Sequence, residues 1–454
     1  MRARVKFLLA AALLAAPVAA QQPPIIDREL FFGDPEISGA EISPDGKYIA
    51  FLKPFNKTRN IWVKRTDESF DKARPITSDT KRPIPGFLWS RDSKYVLFVQ
   101  DQGGDENYNL YSVNPADGPA AGSEVPAARN LTDLKGVRVV PYAVPRSEPD
   151  IIYAGLNDRD KAWHDLYKIR ISTGERTLLR KNTDRITGWV FDVKDQLRLA
   201  TRSAENGDNE ILRVDAGGLT KIYSCGVLEN CAPVRFHRDG KRFYMETNKG
   251  TDVNLSRLEL FDAEGGHEEL AESDPLNRVD FERALFSEVT DQIIATVYVD
   301  DKPRFYWKDK NFESDYKWLT NRLPNKEIGF PSHTRDEQLW LISATADTEP
   351  GETYLFDRKS RKLTLQYRVR EKLPREHLAA MQPVRYESSD GIEIPAYLTL
   401  PKGVPARNLP MLLIPHGGPW GRDTWGYRSF AQFFANRGYA VLSPNFRAST
   451  GYGK

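Results

Sequence analysis

The residues best suited to chemistry lie near the end of the chain. A short apolar run, Met411-Leu412-Leu413-Ile414-Pro415, stops at His416-Gly417-Gly418-Pro419. An uninterrupted apolar run of this kind reads as a strand buried on both faces. Glycines directly after it let the backbone turn sharply and expose N–H groups that side chains would otherwise crowd. A strand that opens into such a turn is one way to build an anion or oxyanion site at the edge of a sheet.

Other chemistry-bearing residues are scattered. Asp101-Gln102-Gly103-Gly104-Asp105-Glu106-Asn107 is an acidic loop, read first as a solvated connection and second as a site for a cation or an amino group. Asp300-Asp301-Lys302 is a weaker stretch of the same kind. The histidines, His164, His237, His267, His333, His377 and His416, share no metal-ligand spacing, so no metal site and no cofactor is expected.

Most of the chain is a repeat of short strands. Ile42-Ser43-Pro44-Asp45-Gly46-Lys47-Tyr48-Ile49-Ala50-Phe51 reads as strand, turn, strand, and Phe87 to Phe98 repeats it around Ser90-Arg91-Asp92-Ser93. His237 fills the slot before the turn that Ser43 and Ser90 fill, which marks it as structural. Further copies follow to Leu363-Thr364-Leu365, with Lys317-Trp318-Leu319-Thr320 read as the last strand of the sixth. The period is roughly 45–50 residues with about four strands in each unit, the spacing of a β-propeller with about seven blades.

The chain begins with Arg2, Arg4 and Lys6, an apolar stretch from Phe7 to Ala16, and small residues before Gln21. That pattern is a secretory signal peptide over 1–20, too short to span a bilayer, so an exported protein without a membrane span is expected, periplasmic or secreted. The whole chain carries 65 basic and 63 acidic residues, and removing the signal's three basic residues leaves it within one charge of neutral. Such a balance, with no basic block, argues against a nucleic-acid partner. In an oxidising compartment the two cysteines, Cys225 and Cys231, read as a local disulfide closing a loop between the fourth and fifth repeats.

The pattern changes near Glu371, which places a propeller domain over 21–370 and a linker plus a second, α/β domain over 371–454. Strands are expected around Val384 and over Ile392 to Leu400. A helix carries Phe430, Phe433 and Phe434 and is stopped at Gly438, and a further strand covers Tyr439 to Pro444. Strand, helix, strand of this length is a crossover unit in a parallel sheet.

Four stretches here, Asp390–Tyr397, His416–Pro419, Asn436–Val441 and Asn445–Gly453, resemble in order the prolyl oligopeptidase family of serine peptidases. The nearest branch is that of the acylaminoacyl-peptidases and dipeptidyl-aminopeptidase-like enzymes. The resemblance implies an all-β propeller followed by the start of an α/β-hydrolase domain, and acyl transfer by a Ser-His-Asp triad. It implies half of an oxyanion hole at Gly417 and Gly418, with the Gly418 N–H facing the oxyanion and His416 orienting the turn. Arg447 becomes a candidate for binding substrate carbonyls or for bracing the turn. The family usually has Arg-Gly-Ser where this chain has Arg447-Ala448-Ser449, and alanine at a positive φ there costs about 1 kcal/mol. No Gly-x-Ser-x-Gly elbow follows His416, so no catalytic triad residue is expected within 1–454, and the chain alone should be inactive. The function implied for the parent protein is exported peptidase action on short peptides, with the propeller limiting access and with oligomers left open. The alternative is a non-catalytic exported propeller that binds or scaffolds.

Overall fold

The computed structural model describes residues 22–454 apart from His267 and Pro419, so the signal-peptide expectation falls outside the described residues. Seven antiparallel sheets succeed one another over residues 38–368, and an eighth, mixed sheet follows. Within each of the seven, strands are hydrogen-bonded in chain order. The blades, numbered 1 to 7, cover 38–75, 87–130, 139–180, 186–225, 231–272, 281–307 and 327–368.

The repeated hairpin has a local cause. The Ser43 hydroxyl accepts the Tyr48 N–H (3.0 Å) and donates to Asp45 Oδ1 (2.7 Å). Ser90 makes the same pair of bonds to Tyr95 and Asp92 (3.0 and 2.7 Å). Thr334 makes them to Leu339 and Asp336 (3.1 and 2.6 Å). Each closes the turn between a blade's first and second strands with side-chain bonds that compete well against solvent. His237 keeps the slot with a different chemistry, its Nδ1 lying 2.8 Å from Asp239 Oδ2.

Packing between blades makes the ring. Ala50, Ile61 and Val63 of blade 1 bury against Trp89, Val96 and Phe98 of blade 2. Leu97 and Leu110 of blade 2 meet Val139, Ile152 and Ile169 of blade 3. Ile42, Ile49 and Phe51 of blade 1 pack on Leu341 and Tyr367 of blade 7, which closes the circle. Cys225 ends blade 4 and Cys231 begins blade 5, and their sulfurs are bonded to each other.

Two expectations are corrected. Lys317–Thr320 is not a strand, so blade 6 has three strands rather than four. The segment belongs to helix α2 (Lys310–Arg322), which Asp309 caps by accepting the Asn311 and Phe312 N–H groups (2.8 and 3.1 Å). Phe312, Leu319 and Leu323 are buried and Tyr316 packs beside them, a helical stripe that outweighs the strand preference of Trp318. The second correction concerns Met411–Leu413. It is an edge strand, paired in parallel with Ala440–Pro444 on one side, and Met411 and Leu413 are each 59% exposed. An apolar run reports the character of a strand and not whether a neighbour covers it.

The mixed sheet has the order Met381–Glu387, Glu393–Thr399, Ala440–Pro444, Met411–Leu413, with helix α3 (Ser429–Ala435) linking the parallel pair. Its position is fixed by polar contacts to the turns between second and third strands. Arg385 bonds Asp300 and Asp301 in blade 6 (2.9 and 3.0 Å), and the Met381 N–H donates to Asp347 in blade 7 (2.7 Å). The buried Gln432 amide accepts from Ala379 N (2.8 Å) and donates to Ala379 O (2.8 Å) and Asp347 O (2.9 Å). Helix α1 (Arg28–Phe32) also packs here, with Phe31 and Phe433 rings edge to face at 5.8 Å. Because strand direction alternates within a blade, the turns between first and second strands emerge on the opposite face of the ring.

Candidate functional site

The strand Met411–Leu413 delivers the chain to the glycine turn at one end of the parallel pair. Gly417 and Gly418 are exposed. Neither backbone N–H donates to a described residue. Gly418 has φ +156°, and a Cβ there would lie 2.7 Å from the Trp420 nitrogen, so the turn as built requires glycine. Two unspent donors on an exposed turn with no side chain at either residue are what an oxyanion or carbonyl oxygen needs.

The turn is braced from the segment after Ala440–Pro444. His416 Nε2 lies 2.7 Å from Ser449 Oγ, and Nδ1 lies 2.9 Å from Gly417 O. The neutral ring with its proton on Nδ1 satisfies both, donating to the carbonyl and accepting from the serine hydroxyl. The imidazole also stacks on Phe446, centroids 4.4 Å apart. A serine hydroxyl on a histidine nitrogen is the first contact of a nucleophile and its base. Here Ser449 is only 7% exposed, and the second ring nitrogen faces a backbone carbonyl instead of a carboxylate. The pair holds the turn.

Asn445 supplies a second brace that the sequence did not single out. It is 2% exposed. Its Oδ1 accepts the Asp423 N–H (2.7 Å), and its Nδ2 donates to Asp423 O and to the Tyr452 hydroxyl (3.0 Å each). The segment that leaves the glycine turn is thereby tied to the end of the central strand. Tyr452 accepts from Arg422 as well (3.0 Å), and the Gly453 N–H donates to Asp280 beside blade 6 (3.1 Å).

Arg447 pairs with Asp390, also donating to Ser388 Oγ (3.1 Å). The Ser388 hydroxyl and the Arg447 guanidinium together hold the Asp390 carboxyl below its usual range. Ala448 has φ +70°, so the cost attached to alanine at this position applies. The acidic loop spends its buried carboxylate internally: Asp101 accepts from Arg82 Nε (3.2 Å) and from the Glu106 N–H (3.3 Å). Asp300 is likewise taken, by Arg278 and Arg385 (2.9 Å each). Among the described residues no group of His, Cys, Asp and Glu is arranged to hold a metal ion.

No protein-family model matches the chain. Its sequence is 34% identical to dipeptidyl aminopeptidase BIII of Pseudoxanthomonas mexicana, over 98% of this chain and 65% of that protein. It is 27% identical to dipeptidyl peptidase family member 6 of Caenorhabditis elegans, over 95% of this chain and 62% of that protein. The chain thus spans just under two thirds of the length of these relatives. Among solved structures, a puromycin-hydrolysing peptidase of Mycobacterium tuberculosis superposes with a TM-score of 0.68 at 14% identity, covering 96% of this chain and 70% of that one. A prolyl endopeptidase superposes at 0.64 and 15% identity, covering 94% and 63%. The two sequence relatives are named as peptidases, and the solved structures share the ring of blades. The peptidase names of the sequence relatives agree with the resemblance to the prolyl oligopeptidase family, and the solved structures agree with it in fold.

Proposed function

We propose that this chain is the propeller and the opening of the hydrolase domain of an exported serine-type peptidase acting on short peptides. The observation that carries the reading is the pair of unspent N–H donors at Gly417 and Gly418, held at the end of a parallel strand pair by the His416–Ser449 and Asn445–Asp423 contacts. Preorganised donors of this kind stabilise the oxyanion of acyl transfer by about 3 kcal/mol each. The peptidase names of the sequence relatives support the reaction class. The mixed sheet is the first part of the hydrolase domain, and the ring beneath it restricts what reaches the turn. The Cys225–Cys231 disulfide supports an oxidising, exported location.

The test has two parts. The coding sequence is read beyond codon 454 for an elbow of the form Gly-x-Ser-x-Gly, and the native full-length protein is treated with a serine-directed fluorophosphonate. Covalent labelling that a peptide substrate slows supports the proposal. A full-length, folded product without labelling overturns it and leaves a binding propeller as the reading.

A further inference from the structure

The turns between first and second strands gather on the face of the ring opposite the mixed sheet, and there ion pairs join blades that are not neighbours. Arg91 of blade 2 bonds Glu288 of blade 6 (Nη1 to Oε2, 2.8 Å). Arg146 of blade 3 bonds Asp291, also of blade 6 (Nη1 to Oδ1, 3.0 Å). Blades 2 and 6 stand three places apart around the ring, as do blades 3 and 6, the greatest separation that seven blades allow. Both pairs therefore cross the axis. Around them, Arg235 of blade 5 shares Asp291, Arg335 of blade 7 donates to the Arg91 carbonyl, and Arg91 Nε donates to Val144 O of blade 3 (3.0 Å).

These contacts do more than join adjacent sheets. A bond between neighbouring blades lies in the wall of the channel, whereas one between opposite blades lies in its lumen. Directly beneath is a cavity of about 330 Å3 lined from blades 1, 2, 3, 6 and 7, and Arg91 and Glu288 are part of its wall. Burial would raise the Glu288 carboxyl, but Arg91, then Arg146 and His333, outweigh it and hold the group below its usual range. The carboxylate is thus charged, and its partner is a planar guanidinium suited to holding it.

We propose that Arg91–Glu288 and Arg146–Asp291 form a charged latch that shuts the channel mouth on the face away from the mixed sheet, so that peptides reach the Gly417–Gly418 turn from between ring and sheet. The latch stands on its own geometry, and only the route of entry rests on the peptidase reading.

The two cysteines within residues 1–454 are engaged with each other, so a new thiol in this span is read as the labelling gained over the parent protein treated in the same way. Ser332→Cys places one in the cavity wall. The full-length protein carrying it is labelled with a bulky maleimide, with and without Arg91→Ala and Arg146→Ala. The latch predicts labelling at least about tenfold faster once both arginines are gone, because the protecting closure is removed. The swap of Arg91→Glu with Glu288→Arg should restore slow labelling, and it decides the matter if the double alanine variant fails to fold. Equal rates in latched and unlatched protein, or fast labelling in the swap, overturn the latch. For the route, kcat/KM for a short peptide should stay within about twofold of the parent when the latch is open. A rise of about tenfold or more would show that the axial mouth limits entry and overturn the lateral route, while absence of any activity would count against the peptidase reading alone.

Discussion

Replacing Asn445 tests whether the glycine turn is held from behind. The side chain makes three bonds, two of them to the backbone of Asp423, and is 2% exposed. Asn445→Ala removes all three. A neutral hydrogen bond contributes about 1 kcal/mol net, and a buried group left unpartnered costs about 1–3 kcal/mol. Asp423 is itself only partly buried, so water replaces part of what is lost, and the expected cost is about 2 kcal/mol, in the middle of that range. The change is local, so a local probe reads it. Amide exchange at Asp423, whose N–H donates to Asn445, should accelerate about thirtyfold, in line with an opening made easier by that amount.

Asn445→Asp separates loss of bonding from loss of shape. The carboxylate still accepts the Asp423 N–H but sets its second oxygen against the Asp423 carbonyl, which Nδ2 now serves as donor. Two acceptors then face each other, and the new charge lies near the Asp423 side chain. Burial and the neighbouring acceptor push the introduced carboxyl's pKa up, so the folded form binds its proton more tightly than the unfolded form does. By linkage, the variant is weakest above that raised pKa and regains protection as pH falls through it, because the protonated acid can donate to Asp423 O. Exchange at Asp423 that is unchanged in Asn445→Ala, or equally slow in Asn445→Asp at neutral pH, would falsify the brace.

Further expectations concern single positions. Ala448→Gly relieves a residue at φ +70° while adding freedom to the unfolded chain, for a net gain of about 0.5–1 kcal/mol read as a higher urea midpoint. On the peptidase proposal, Gly418→Ala in the full-length protein forces the turn off the Trp420 nitrogen and should lower kcat by about 100-fold or more while leaving KM nearly unchanged; an effect confined to a raised KM would argue against an oxyanion role. Glu41, on the inner strand of blade 1, is pushed up to about 7 by burial, so the folded chain gains a proton relative to the unfolded one between pH 4.5 and about 7. Stability therefore falls as pH rises through that window, and Glu41→Gln should flatten the fall and add about 1–2 kcal/mol at pH 8, a figure reduced for the side chain's partial exposure. Glu246, also pushed up to about 7 by burial, contributes with the same sign, so some slope should persist in the variant.

What the sequence discloses is what neighbours in sequence decide. Ser43 with Asp45 and Ser90 with Asp92 close their turns within a few residues, so the blades announce themselves as a repeat. Helix α2 was legible too, through Asp309 as a cap and the spacing of Phe312, Tyr316, Leu319 and Leu323, but Trp318 and Thr320 favour strands and the repeat invited a fourth one. The glycine turn was visible as a turn. Its bracing was not, because His416 meets Ser449 33 residues on and Asn445 meets Asp423 22 residues back. The latch lies furthest from sequence reasoning: Arg91 and Glu288 are 197 residues apart and owe their meeting to the closure of the ring. Local turn chemistry is written locally, whereas contacts across the axis exist only after the blades have assembled.

The two chords of the latch are not equivalent, because the ring has one weak seam. Every blade is built from consecutive strands and each passes the chain directly to the next, whereas blades 7 and 1 stand at opposite ends of the series with no direct chain connection between them. They meet through the apolar faces around Ile42, Phe51 and Leu341, and through polar contacts that include Ile42 N–H to Ser332 Oγ (3.0 Å) and Arg335 N–H to Pro44 O (2.9 Å). Arg91–Glu288 and the Arg335 bond to the Arg91 carbonyl both span this seam, from blade 2 to blades 6 and 7. Arg146–Asp291 spans the other arc, through blades 4 and 5, where the Cys225–Cys231 disulfide already joins neighbours covalently. The arc that contains the junction without a direct chain link is thus the one that Arg91 ties twice, and a group that obstructs the channel mouth also opposes parting of the ring at the place where the chain itself supplies least.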